Sequence, residues 1–158
     1  MEFQRVNRSD PERIFMVVRN SYSTAAFTNG QWCGWDIATD QDGVNITKIT
    51  ATVRCAPAGC VVQNIPVGDY GLIQIWGYKA DARCLGGCGS VTSKLTVGRP
   101  MYFDTSRFCP RAMERTSVPL KLDHGKFPAG ICIAPKNTAG KTTSFATSAQ
   151  YKVLVRCL

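Results

Sequence analysis

The chain has 158 residues, of which 44% are hydrophobic and 19% are charged. This is the size and composition of one globular domain and not of a disordered chain. No apolar run approaches the roughly 20 residues that a membrane-spanning helix needs. The first ten residues lack the apolar core of a secretory signal peptide. We therefore expect one compact domain that is made and folded in a cytoplasm.

The net charge of +8 is unevenly distributed along the chain. Residues 1–70 carry 6 Lys/Arg and 7 Asp/Glu, whereas residues 71–158 carry 13 and 4. A basic C-terminal half fits contact with nucleic acid or with an acidic protein surface. Because the basic residues stand singly along the sequence, an acidic protein surface or simple solvation is the preferred interpretation, and nucleic acid is the alternative.

The N-terminal third is predicted to be an arm followed by strands. Residues 1–12 are polar and predict an arm that orders on assembly. The β-branched apolar run after them predicts a first strand at 13–19. An Asn-Gly pair at positions 29–30 is a strong hairpin signal, and it precedes a predicted strand at 31–37. The next strand is predicted at 44–53.

The most informative pattern lies in the middle of the chain and returns near its end. An Ala-Gly step opens an apolar strand at 58–62, a Gly-Asp turn follows, and a longer alternating strand starts at Tyr70 and runs to Gly77. The same order returns with an Ala-Gly step at 129–130 and an alternating strand from Tyr151. This pattern is typical of a small β-barrel or β-sandwich.

The remaining segments complete an all-β prediction. They are a Gly-rich loop at 86–89, a strand at 91–97, an edge strand at 100–103, a loop or one short helix at 104–117, an edge strand at 118–122, strands at 130–134 and 150–158, and a surface loop at 135–149. Roughly ten strands and at most one helix predict a single antiparallel β-barrel or β-sandwich domain at 13–158, with an extended N-terminal arm at 1–12.

The eight cysteines are predicted to be structural. They stand at 33, 55, 60, 84, 88, 109, 132 and 157. The spacing within 55–60 and 84–88 differs from the two-residue spacing of zinc knuckles. Cys60, Cys132 and Cys157 lie in apolar strand contexts, so we expect them to be buried and unreactive. Cys84 and Cys88 flank a Gly-Gly turn and remain a candidate pair if the protein meets an oxidising medium.

The sequence contains no clear catalytic motif. The single histidine, His124, follows Asp123 directly, so along a strand the two side chains would face opposite ways. Residues 139–142 imitate the end of a phosphate-binding loop but lack its first glycine and its strand-to-helix context. We therefore predict a protein that is not an enzyme, with no catalytic, cofactor-binding or metal-binding residues and no cofactor.

Four strand-and-turn segments occur in a suggestive order. They are Ser9 to Glu12 with Ile14 to Val18, Asn29 to Trp32, Gly68 to Gly77, and Tyr151 to Leu158. In this order and spacing they resemble small virion proteins of tailed bacteriophages that decorate or cement the capsid shell. The resemblance implies a structural protein located in the virion capsid after synthesis in the host cytoplasm. It implies the major capsid protein lattice as partner, a homo-oligomer with a trimer as one expected form, and no membrane contact. The cysteine content departs from this family.

Two alternative functions stay open at this point. One is a small jelly-roll capsid protein that contacts packaged nucleic acid, which the basic half favours. The nearly neutral arm, with two arginines and three acids, argues against it because RNA-packaging arms are strongly basic. The other is a carbohydrate-binding β module whose platform would be Trp32, Trp35, Trp76 and Tyr78.

Overall fold

The computed structural model contains only β-structure among the residues it describes, so the all-β prediction is confirmed for them. The described residues are 12–40, 43–50, 56–84, 98, 100–103, 111–112, 128–135 and 149–157. The strands are β1 (Arg13–Asn20), β2 (Trp32–Trp35), β3 (Asn45–Thr47), β4 (Pro57–Val61), β5 (Tyr70–Cys84), β6 (Pro100–Tyr102), β7 (Arg111–Ala112), β8 (Pro128–Pro135) and β9 (Ala149–Arg156). Residues 1–11 of the predicted arm lie outside the described residues.

These strands form one sheet in the order β1-β3-β2-β4-β5-β9-β8-β6-β7. β1 also pairs with the N-terminal half of β5, so the pairings that start at β1 return to it through β3, β2, β4 and β5. The C-terminal half of β5 pairs with β9. The long strand β5 therefore connects the part of the sheet that contains β1 to β4 with the part that contains β9.

The sheet is mixed: the predicted antiparallel arrangement holds for every described strand pairing except that of β1 with β3. β1 and β3 run parallel, with Arg19 beside Asn45 and Asn20 beside Ile46. A parallel pair needs a crossover of a dozen or more residues. The chain between these strands supplies that length and contains β2, which pairs antiparallel with β3.

The core consists of two clusters on opposite faces of β2 and β4. The Trp32 cluster contains Trp32, Ile49, Cys60, Ala82, Cys84, Met101, Phe103, Val153 and Val155. The Val18 cluster contains Val18, Phe27, Cys33, Ile46, Ala58, Val61, Ile65, Ile73 and Ile75. Trp32 and Cys33 on β2 alternate between the clusters, as do Cys60 and Val61 on β4. Ala58 joins the Val18 cluster because a bulge opposite Cys33 and Gly34 interrupts the alternation on β4. β5 contributes side chains to both.

The repeated Ala-Gly step has a steric explanation. A Cβ atom on Gly59 would lie 2.6 Å from the carbonyl oxygen of Gln74 on β5. A Cβ atom on Gly130 would lie 2.5 Å from the carbonyl oxygen of Leu154 on β9. Each glycine thus permits close approach of the following long strand, and alanine at either place would push the strands apart.

Two predicted elements are wrong. The segment from Pro100 was expected to be an edge strand, but β6 pairs with β7 on one side and with β8 on the other. Proline is tolerated because it is the first residue of the strand, where a missing N–H costs little. Arg111 and Ala112, expected in a loop or short helix, form β7 because they pair with β6.

Other boundaries differ or lie outside the described residues. β5 continues seven residues beyond the predicted end at Gly77, to Cys84. β3 covers only the start of the strand predicted at 44–53. The strands predicted at 91–97 and 118–122 fall outside the described residues.

Candidate functional site

The most unusual surface in the described part of the chain is a run of four apolar side chains on β1. We call it the β1 strip, and it consists of Ile14, Phe15, Met16 and Val17. Their exposed fractions range from 38% for Met16 to 62% for Val17. Single apolar residues on a surface are ordinary, whereas a contiguous apolar patch marks a site of interaction.

The strip is exposed because β1 has a strand along only one side of it. β5 pairs with β1 from Arg13 to Arg19. On the other side, within the described residues, β3 pairs only with Arg19 and Asn20. Residues 13–18 thus present a strand edge to which no described strand is bonded. Such an edge is a template for pairing with another chain.

The rim of the strip is basic. Arg13 and Arg19 are exposed and stand at its two ends. The Nε atom of Arg19 donates a hydrogen bond of 3.0 Å to the carbonyl oxygen of Gly68. Tyr70 lies opposite Arg19 on β5 and is 64% exposed, which extends the apolar surface. The arrangement suits an apolar partner segment with acidic ends.

Asn20 fixes the end of β1 from which the strip projects. Its side chain is fully buried, and its Nδ2 donates to the carbonyl oxygens of Ile65 at 3.0 Å and Ala25 at 3.3 Å. Its Oδ1 accepts from the backbone N–H of Tyr22 at 2.9 Å. A buried amide with these partners costs little to bury and specifies one chain path.

A second polar network lies beside the turn after β2. The carboxylate of Asp36 accepts hydrogen bonds from Ser21 Oγ at 2.6 Å and from Thr39 Oγ1. Partial burial alone raises the pKa of Asp36, but these hydrogen bonds outweigh it and hold the pKa below its ordinary value. The stability that this network supplies is present above the unfolded pKa and is lost as the pH falls.

A compact group of charged and amide side chains lies where the turn before β2 meets β5, with Lys79 buried, Asp81 partly exposed and Asn29 exposed. We call it the Lys79 cluster, and it consists of Asn29, Lys79 and Asp81. Lys79 is only 6% exposed. Its Nζ donates to Asp81 Oδ1 at 2.6 Å and to Asn29 Oδ1 at 3.0 Å. The other oxygen of Asp81 accepts from Asn29 Nδ2. Each member of the cluster therefore contacts the other two.

A β-bulge in β5 accompanies this cluster. Lys79 is paired with Val153 and Ala82 with Tyr151, so β5 has one residue more than β9 over this step. Bulges redirect side chains and are common beside functional sites. Partial burial raises the pKa of Asp81, but the hydrogen bond and charge of Lys79 dominate and lower it overall. The carboxyl group of Asp81 is therefore ionised at neutral pH.

The thiols follow the sequence prediction in part. Cys60 is fully buried, and burial raises its pKa well above the ordinary value. Cys157 is half-buried against the Trp32 cluster, and burial raises its pKa to about 12. Cys33, which the sequence did not single out, is also fully buried with a raised pKa, chiefly because of burial. Cys132 is in β8, and its side chain lies outside the described residues.

The other cysteines give no metal site in the described part of the chain. Cys84 is a buried cysteine whose Sγ lies 3.6 Å from the Sδ of Met101. Its candidate partner Cys88 lies outside the described residues, as does His124. Among the residues described, no group of three or more His, Cys, Asp or Glu could hold a metal ion. Within the same described residues, there is no helix whose length and hydropathy would allow it to cross a membrane.

The aromatic residues do not form the sugar platform that the alternative function needs. Trp32 is fully buried, stacks edge-on against Phe103 at 5.6 Å between ring centroids, and donates its Nε1–H to the carbonyl oxygen of Arg83. Trp35 packs against the other cluster. Trp76 is half-buried under the guanidinium of Arg156. Trp32 has no exposed face on which a sugar ring could stack.

The sequence analysis predicted neither the β1 strip nor the Lys79 cluster. It assigned residues 14–17 to a strand core, because an apolar strand has the same sequence whether or not a neighbour covers it. It counted Lys79 among scattered surface bases, although an Asn-Gly turn and a Lys-x-Asp pair are visible in the sequence. No protein-family model matches the chain, and no curated protein matches it.

Proposed function

We propose that this chain is a non-enzymatic structural protein of a phage virion that decorates or cements the capsid shell, and that the β1 strip is its contact surface. The observation that carries the proposal is the exposed apolar strip on an edge of β1 that pairs with no strand of the described residues along positions 13–18. The resemblance of the four sequence segments to phage decoration proteins supplies the virion context. The circuit of pairings from β1 through β3, β2, β4 and β5 supports a small β-barrel as the rigid body.

The energetics favour burial of the strip on a partner. Each of its side chains is about half exposed, so covering one stabilises a complex by about 1 kcal/mol. Four such contacts are modest for one molecule because association costs translational and rotational freedom. A decoration protein binds in many copies on a repeating lattice, where linked weak contacts give high avidity.

The geometry of the strip favours an extended strand as the bound segment. Residues 13–18 offer backbone N–H and C=O groups along one edge, with apolar side chains on both faces. Strand addition uses the backbone groups for affinity and the alternating side chains for specificity. A helix would leave these backbone groups without partners.

Charge favours the major capsid protein over a second copy of this chain on this edge. Antiparallel self-pairing of residues 13–18 centred on Met16 would bring Arg13 of one copy next to Arg19 of the other, although the backbone of Arg19 is itself bonded to the β3 side. Like charges directly opposite each other destabilise a strand pair. We therefore assign the edge to a capsid strand with acidic flanks, and the expected homo-oligomer to other surfaces.

The test is binding to purified bare shells, scored as copies per particle. Full-length protein is expected to saturate its sites. A Phe15→Ser/Val17→Ser variant should lose at least about tenfold in affinity, since about 1 kcal/mol is lost at each position. Ile133→Ser is the matched control, because Ile133 is exposed to the same extent as Met16 but lies on β8. Equal occupancy by the strip variant and wild type would remove the strip from the proposal.

The arm is tested in the same assay. Deletion of residues 2–9 should leave the melting temperature nearly unchanged and reduce occupancy, because a polar arm has little apolar area of its own to bury. A truncated protein that fails to fold would place the segment in the core. Wild-type protein that ignores shells but is retained by nucleic acid or by a sugar array would overturn the proposed function in favour of the corresponding alternative.

A further inference from the structure

We propose that the Lys79 cluster is a self-modification site, in which the Lys79 amine and the Asn29 carboxamide condense into an intramolecular amide bond with Asp81 as the proton carrier. The inference does not depend on the proposed function. It follows from the arrangement of a nucleophile, an acyl group and a carboxylate in mutual contact.

The distances suit this reaction. Lys79 Nζ lies 3.0 Å from Asn29 Oδ1, and because a C=O bond is about 1.23 Å long, the Cγ carbon lies within about 4.2 Å of the amine. Reacting atoms in near-attack arrangements are about 3–3.5 Å apart, so a small side-chain rotation completes the approach. Asp81 contacts both the amine and the departing amide nitrogen. It is therefore placed to take a proton from one and deliver it to the other.

The backbone holds the acyl group over β5. Gly30 has φ +82°, and a Cβ atom there would lie 2.4 Å from the carbonyl oxygen of Asp81. The Gly30 carbonyl accepts from the Arg83 N–H at 2.8 Å, and its own N–H donates to the Val61 carbonyl at 2.9 Å. These contacts fasten the turn that carries Asn29 directly against the strand that carries Lys79. Gly30, Val61 and Arg83 are positioning residues in this scheme.

The steps balance without an oxidant or a cofactor. A proton moves from the Lys79 ammonium to Asp81, which leaves a neutral amine. The Nζ lone pair attacks Cγ of Asn29, and a C–N bond forms while the C=O π pair moves to Oδ1. The carbonyl then reforms as the Cγ–Nδ2 bond breaks. Nδ2 takes one proton from Asp81 and a second from Nζ and leaves as ammonium, so Asp81 returns to its carboxylate form.

The resting cluster is an ion pair with a lowered Asp81 pKa, and the first proton transfer is therefore uphill. The reaction should be slow and should accelerate with rising pH, because the attack requires that the ammonium group first loses a proton. Its product would join residues that stand 50 positions apart in the sequence. The bond would connect the turn before β2 to β5 covalently.

The test uses the full-length, reduced protein, incubated after purification and then denatured. Bond formation removes one ammonia, a loss of about 17 Da. After trypsin digestion we expect residues 20–48 joined to residues 55–83, with no cleavage after Lys79. Lys79→Arg keeps the positive charge but should abolish the linked peptide. Lys152→Arg, which changes an exposed lysine on β9, should leave it unchanged. Asp81→Ala should slow its formation by roughly 10²–10⁴-fold.

One competing reaction has the same mass change. An Asn-Gly step can lose ammonia alone when the glycine nitrogen attacks Cγ, but this product needs no lysine, leaves the peptides linear and hydrolyses. A loss of about 17 Da that persists in Lys79→Arg would therefore overturn the proposal. So would wild-type protein in which trypsin still cleaves completely after Lys79 following long incubation at alkaline pH. The wild-type result stands even if a variant fails to fold.

Discussion

The β1 strip and the Lys79 cluster reverse the ordinary placement of side chains. Four apolar residues of β1 face solvent, whereas a lysine of β5 is 6% exposed. The difference follows from strand neighbours: β5 is flanked by β1, β4 and β9, and β1 has a free edge along residues 13–18 in the described part of the chain. The polar groups of the cluster bond to one another, while the strip is exposed and is proposed to be covered by a partner. In these two places the exposure of a side chain depends on whether its strand has neighbours on both sides, and not on whether the residue is apolar or charged.

Residues of the core should respond to mutation much more strongly than those of the β1 strip. Trp32→Ala should lower the free energy of unfolding by about 4 kcal/mol, because it removes a fully buried indole and leaves a cavity. Chemical denaturation with a tryptophan-independent probe, such as far-ultraviolet circular dichroism, measures the loss. A loss below about 1 kcal/mol would mean that the Trp32 cluster does not carry the fold.

A second consequence concerns the buried thiols of the two core clusters. Burial raises the pKa of Cys33 and Cys60, so their neutral thiols favour the folded state below the unfolded pKa of about 9. The unfolded chain ionises above that value, and these two thiols should together cost about 3 kcal/mol of stability between about pH 8 and about pH 10. Denaturant titrations at both pH values test this. Cys33→Ala should show a fall smaller by about 1.4 kcal/mol, and an identical fall would contradict the assignment.

The ion pair of the Lys79 cluster can be measured separately from any amide bond. Neither Lys79→Arg nor Lys79→Met can form that bond, so the difference between the two variants reports only the charge. We expect Lys79→Met to be less stable by about 2 kcal/mol, less than for a fully buried pair because Asp81 is partly exposed. Equal stabilities at low salt would show that the charge of Lys79 is dispensable.

The smallest effect is expected in the strip itself. Val17→Ser should change the free energy of unfolding by less than about 0.5 kcal/mol, because this side chain is 62% exposed and leaves no cavity. Thermal or chemical denaturation of the isolated protein checks this. A loss of free energy of unfolding as large as that of Trp32→Ala would show that the strip is covered within the chain and packs like a core.

The positions of the strands could largely be predicted from the sequence, but the pairing of the strands with one another could not. Turn residues and alternation located β1, β2, β4 and the first half of β5, because these signals are local. The parallel pairing of β1 with β3 depends on how distant segments meet, and no local pattern encodes it. The edge position assigned to Pro100 failed for the same reason, since proline at the first strand position is also compatible with a central strand.

The candidate sites were harder to predict than the strands. The apolar character of residues 14–17 is visible in the sequence, but their exposure is not. The exposure arises because β3 pairs only with the last two residues of β1. The burial of Lys79 depends on a bulge in β5 and on an Asn-Gly turn fifty residues earlier. Charge alone therefore suggested a solvated lysine, whereas Lys79 is buried and hydrogen-bonded to Asp81 and Asn29.

The length of β5 has a consequence for how the protein opens. Its first half contributes Ile73 and Ile75 to the Val18 cluster, and its second half contributes Ala82 and Cys84 to the Trp32 cluster. Neither cluster loses its packing without disturbing this shared strand, so the two halves belong to one cooperative unit. Backbone amides near the middle of β5 should then be the last to exchange their hydrogens with solvent, at rates set by global unfolding.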